Sequence, residues 1–168
     1  LEESRMVGDV LYTITNNGAW NQLKAQITSV KMTGSSFAIV DQEDIHGENR
    51  WVRTMNVVKE GEKYLVVSTL SDWSNKGDLI NVHDITSEKG KVEKLFTAKA
   101  RGQIIERSQT FFHKNHLFAV SNYQGAEANA RLRVSVEAFP VAKSTTTVES
   151  KENMRVSVGD TNVSMLVC

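Results

Sequence analysis

The chain has 168 residues, 40% of them apolar, which is enough for one domain with a buried core, and it holds no apolar run long enough to cross a membrane. Twenty Lys and Arg offset twenty Asp and Glu, so no net field draws the chain toward nucleic acid or an anionic membrane surface. Its one cysteine, Cys168, excludes an internal disulfide and a thiolate metal cluster within the chain.

Taken in order, the chain opens on a short strand pattern at residues 4–7. The tight-turn pair Gly8-Asp9 follows, and then the run Leu11-Tyr12-Thr13-Ile14-Thr15, which together predict a β-hairpin. Residues 1–8 run straight into this pattern without a charged region followed by an apolar one. The natural N-terminus is therefore expected upstream, with an export signal on it. A polar loop carrying Trp20 leads to a third strand at residues 24–31 and a more polar fourth at 36–40.

The stretch Asp41-Gln42-Glu43-Asp44-Ile45-His46-Gly47-Glu48 gathers four carboxylates and a histidine. Clustered carboxylate oxygens are what calcium takes, so Asp41, Glu43 and Asp44 are the candidate metal ligands and calcium the one candidate cofactor. The spacing is not that of a helix-loop-helix calcium loop, and the alternative is a solvated acidic hairpin tip or connector.

The same order of elements returns at residues 55–58, Gly61-Glu62 and Tyr64-Leu65-Val66-Val67-Ser68. A loop with Trp73 follows, then strands at 78–85 and 91–98. At the end of the first of these, Asp84 is expected to bond the backbone two residues on, as turn aspartates do. It returns again at residues 110–112, Lys114-Asn115 and Leu117-Phe118-Ala119-Val120-Ser121, with Tyr123 at the start of the next loop. His113 and His116 flank this turn, either as exposed turn residues or as a pair open to a transition metal. In the strand at 131–138, Leu132, Val134 and Val136 share one side and Arg133, Ser135 and Glu137 the other. Residues 124–130 have room for one helical turn, 144–151 read as a loop or edge, and 154–158 with Gly159-Asp160 and 163–168 restart the hairpin.

Gly8, Gly61 and Lys114 stand 53 residues apart (61 less 8, and 114 less 61). The strand after each turn aligns in columns: Leu11/Tyr64/Leu117, Tyr12/Leu65/Phe118, Thr13/Val66/Ala119, Ile14/Val67/Val120 and Thr15/Ser68/Ser121. A fixed period of this kind marks stacked units. The expected fold is all-β: a β-propeller fragment of about three four-stranded antiparallel blades plus the start of a fourth. The units are 4–54, 55–107, 108–150 and 153–168 of a single segment, with Tyr12, Leu65 and Phe118 at one equivalent buried position. An immunoglobulin-like sandwich would explain the short alternating strands but not the period. Three blades do not close a ring, so the others are expected from the rest of a longer chain or from other copies.

At Ser4-Arg5-Met6-Val7-Gly8-Asp9-Val10-Leu11-Tyr12, and again at Glu106-Arg107-Ser108 through His116-Leu117-Phe118-Ala119-Val120-Ser121, the chain resembles a family of secreted bacterial proteins. These carry a C-terminal β-propeller distantly related to WD-repeat propellers. The resemblance covers about two thirds of the chain and implies a propeller fold and a secreted, periplasmic or cell-surface location. It brings no catalytic residues with it, and the Trp-Asp dipeptide of true WD repeats is missing from the third strands.

Loops between second and third strands open on one face of a propeller. Trp20 and Trp73 occupy equivalent places there, 53 apart (73 less 20), and Tyr123 begins the third such loop. Aromatic anchors carry much of the energy of an interface, so this rim is the candidate site for a protein or glycan partner. The alternative is that the three rings plug gaps between blades. The expected function is a non-enzymatic scaffold or binding module of an exported bacterial protein. Its rival is a propeller hydrolase with a channel-mouth site, metal-dependent or not, since such sites draw single residues from several blades and leave no local motif. Nucleophile-elbow, phosphate-loop and dinucleotide motifs are absent from the sequence.

Overall fold

Apolar residues at alternate positions, broken by two-residue turns, favour pairing between neighbours in the chain. The computed structural model describes residues 3–17, 24–45, 50–71, 76–124, 132–150 and 155–158, and among these it is all-β, with no α-helix. The first sheet pairs β1 (Glu3–Val7), β2 (Val10–Asn17), β3 (Lys24–Thr33) and β4 (Ser36–Ile45) antiparallel in chain order. The second repeats that order with β5 (Trp51–Glu60), β6 (Lys63–Ser71), β7 (Leu79–Asp84) and β8 (Glu93–Lys99). The third begins with β9 (Thr110–His113), β10 (His116–Gln124) and β11 (Leu132–Pro140).

The turns that open the three sheets use different residues for one backbone task. Gly8 at φ 56° and Gly61 at φ 59° take the left-handed first position of a type II′ turn. Lys114 at φ 47° and Asn115 at φ 61° are both left-handed, as in type I′. Either turn matches the twist of the flanking strands, which is why Gly-Asp, Gly-Glu and Lys-Asn stand at equivalent places.

Two later strands depart from the expected order. β12 (Thr147–Glu149) runs parallel to β8 and makes the second sheet five-stranded, so these three residues of the segment expected as a loop or edge lie at an edge. β13 (Arg155–Val158) pairs antiparallel with β11. That pairing makes Arg155–Val158 the fourth strand of the third sheet, where residues 154–158 are expected to open a further unit. The open edge of β11 is the physical reason, since its backbone groups need partners and β8 has already taken β12. β5 also begins at Trp51, four residues ahead of the expected unit start at 55 (55 less 51).

The sheets stack with their faces in a constant order. One core holds Tyr12, Ile14, Ala25, Ile27 and Ile45 of the first sheet against Val57, Val66 and Leu70 of the second. The other holds Leu65, Val67, Ile80, Val82 and Phe96 of the second sheet against Leu117, Ala119 and Phe139 of the third. The repeat columns sort by these faces. Tyr12 meets the second sheet and Leu65 the third, whereas Tyr64 looks back at the first sheet and Leu117 back at the second. Tyr12 and Leu65 are buried as expected, but Phe118, in the same column, is only half-buried. It lies on the face of β10 turned away from the second sheet.

Contacts from each sheet to the loops of the next fix the stacking. Tyr12 donates its hydroxyl to the Ser87 carbonyl at 2.5 Å, Ser29 donates to the Gly90 carbonyl, and the Val92 N–H donates to Asp41 Oδ2 at 2.9 Å. Between the second and third sheets the link at 100–105 is pinned on both sides. Its Gly102 N–H donates to Ser121 Oγ at 3.1 Å and its Gly102 carbonyl accepts the Asp78 N–H at 3.0 Å. A Cβ on Gly102 would lie 2.2 Å from the Asn122 carbonyl oxygen. Gly102→Ala is therefore expected to cost about 2 kcal/mol through overpacking, read as a lower urea midpoint at unchanged slope. A loss below a few tenths would show that the link moves aside.

Candidate functional site

Tyr123 is the one member of the aromatic trio among the described residues; Trp20 and Trp73 lie outside them. It ends the run of buried residues along β10, at 8% exposure, and the Arg101 guanidinium sits 4.0 Å from its ring centroid. A cation over an aromatic face is attracted by the ring quadrupole, so the link at 100–105 is clamped onto β10 here. The Gln103–Asn122 backbone pair does the same from the next residue. The Tyr123 hydroxyl is buried and lacks a hydrogen-bond partner among the described residues.

Around it lies a polar cluster that the pattern of residues does not announce. Glu137 of β11 is fully buried, and its Oε2 accepts the Arg101 N–H at 2.7 Å while its Oε1 accepts Ser150 Oγ at 3.0 Å. Asp78, 2% exposed, accepts the Ile104 N–H at 2.7 Å. Burial pushes the Asp78 carboxyl above its ordinary value, and the Ile104 N–H and the nearby Arg53 and Arg50 charges only partly offset that. Both carboxylates spend their oxygens on backbone and side-chain donors of the chain itself, which is the work of a fastener. The alternation along β11 is as expected, but the polar side, Ser135 and Glu137, is the buried one.

The acidic stretch is likewise divided. Asp41, Glu43 and Asp44 all fall on β4, where neighbouring side chains alternate between faces. Their cross-strand partners are Ser29, Ile27 and Gln26, which put Asp41 and Glu43 on the side toward the second sheet and Asp44 on the other. Asp41 Oδ1 accepts the Gln42 N–H, its Oδ2 accepts the Val92 N–H, and Asp44 Oδ1 accepts Gln26 Nε2 at 2.8 Å. Among the described residues no group of three His, Cys, Asp or Glu side chains converges as metal ligands would. His46 and Glu48 lie outside them.

Asp84 behaves as its turn position predicts, with Oδ1 accepting the Thr86 N–H at 2.9 Å. Burial would raise its carboxyl, but the Thr86 hydroxyl and N–H and the Lys63 ammonium at 3.1 Å outweigh that and hold it below its ordinary value. His113 and His116 face each other across the turn, and His116 Nδ1 lies 3.0 Å from the Lys114 carbonyl. The buried histidine is instead His83, 1% exposed on β7, pushed down to about 4 by burial and then by the Lys94 charge. A cleft of about 310 Å³ opens between the second and third sheets, where Glu60, Lys63, Glu93 and Lys143 mix their charges over Leu95 and Val141. No helix among the described residues is long and apolar enough to cross a membrane. No protein-family model, curated protein or solved structure matches the chain.

Proposed function

We propose that this chain is part of a non-enzymatic β-propeller of an exported bacterial protein, a scaffold that binds a protein or glycan partner at its loop rim. The observation that supports this reading best is the repetition of one stacking relation: equivalent columns 53 residues apart meet the following sheet twice in the same sense. Blades related by a constant rotation would do the same. The half-buried Asp41 and the buried Asp78 and Glu137 favour a scaffold over a hydrolase, because their carboxylates accept backbone N–H groups of Val92, Ile104 and Arg101 and hold those segments in place.

Within this reading the binding rim is carried by the connections from β2 to β3 and from β6 to β7, which hold Trp20 and Trp73. Tyr123 supports the rim from beneath. Trp20→Ala with Trp73→Ala is expected to abolish binding to whichever members of a glycan array and a peptide array the unaltered chain captures, with the thermal midpoint moved by less than about 2 °C, as for surface substitutions. A fall of about 10 °C or more would identify the two rings as plugs, and retained binding would place the site elsewhere.

A further inference from the structure

Among the described residues no sheet packs on one face of the first sheet or on one face of the third, and both carry apolar rows. On the first sheet Met6, Leu11, Val30 and Ile39 are paired in a row straight across all four strands, with Met32 and Phe37 alongside. Phe37 is 71% exposed and Ile39 63%. On the third sheet Phe111 and Phe118 stack at 5.3 Å between centroids, and the apolar side of β11, Leu132, Val134 and Val136, shares their face. Leu132 is 65% exposed while Glu137, on the opposite side of the same strand, is fully buried. On β11 the polar Ser135 and Glu137 are buried while Leu132 is exposed and Val134 and Val136 are half-buried, so both sides carry residues suited to an interior.

Charge sorts the same way. By strand alternation the charged positions on this face of the first sheet are Asp44 and Lys24, both at the end away from Met32 and Phe37, and that of the third carries only His113 and His116 among the described residues. Asp, Glu, Lys and Arg together make up 24% of the chain, so these faces are strongly depleted. The columns identify what fits them. Phe118 stands where Tyr12 and Leu65 meet a following sheet, and Leu11 stands where Tyr64 and Leu117 meet a preceding one. Each open face thus continues an interface the chain already makes twice, and the complementary half is present on the same molecule.

We propose that a second copy of this chain docks head to tail, the open face of its first sheet packing on the open face of the third sheet. The contact is heterologous, using two different surfaces, so blocking either one blocks self-association. It does not depend on what the loop rim binds.

Sedimentation or light scattering of the purified chain is expected to give at least twice the 18.8 kDa chain mass. Phe37→Lys with Ile39→Lys, and separately Phe111→Asp with Phe118→Asp, are each expected to give a monomer. An equimolar mixture of these two variants is expected to recover a species of two chains, because each retains the surface the other lacks. Phe111→Ser and Ile39→Thr serve as milder substitutions if circular dichroism shows that a charged pair unfolds the chain. A chain that is monomeric at every attainable concentration overturns the proposal, as would result if further sheets of a longer polypeptide cover these faces instead. A variant that still associates, or a mixture that stays monomeric, overturns it equally.

Discussion

Tyr12→Ala is expected to lower unfolding stability by about 4 kcal/mol, the range for deleting a fully buried aromatic ring. Tyr12 is 0% exposed and fills the core between the first and second sheets beside Ile14, Ile27, Val66 and Leu70. Its removal subtracts the transfer energy of the ring and leaves a void that strands on both sides resist closing. Tyr12→Phe keeps the ring and removes only the hydroxyl that donates to Ser87, for an expected cost of about 1 kcal/mol. The phenol is pushed up to about 12 by burial and then by the Asp84 and Asp41 charges, so it remains a donor across the working pH range. Urea unfolding of both variants checks the pair. An alanine cost close to the phenylalanine cost would mean that the first sheet is not packed on the second.

Acidification is expected to remove about 3 kcal/mol of stability through His83 alone between pH 6.5 and pH 4. Its folded value of about 4 lies below the ordinary 6.5, chiefly because burial disfavours the imidazolium. In that window the unfolded chain binds a proton at this site that the folded chain does not, so falling pH favours unfolding. Asp84 adds a loss of the same sign at lower pH, since its carboxyl is held below the usual value. Asp78, raised by burial, contributes in the opposite sense, its share present in acid and lost as pH rises. A comparison with His83→Gln cancels both carboxylates. Urea midpoints measured from pH 7 to pH 4 are expected to fall more steeply for the native chain than for the variant, and parallel slopes would show that His83 is protonated in the folded state.

The hairpins were legible residue by residue. Gly8-Asp9, Gly61-Glu62 and Lys114-Asn115 lie at turns because two-residue loops demand positive φ at named places, and Asp84 bonds its own turn because an aspartate there has a backbone N–H within reach. The surroundings of Tyr123 were not legible. Arg101, which lies over its ring, is 22 positions away in the chain (123 less 101). Glu137 was hidden for a related reason. Alternation separates the sides of a strand but does not say which side has a neighbour, and the donors that make its burial tolerable come from Arg101 and Ser150.

The sequence by itself determined the all-β class, the order of the hairpins and the 53-residue relation between equivalent strands, because these depend on local turn chemistry and on periodicity along the chain. Only the tertiary structure decided that Arg155–Val158 completes the third sheet, that Thr147–Glu149 crosses to the second, and that Phe118 is left half-exposed where Tyr12 and Leu65 are buried. Strand edges and sheet faces are satisfied by whatever part of the chain arrives beside them, and that depends on the stacking of whole sheets.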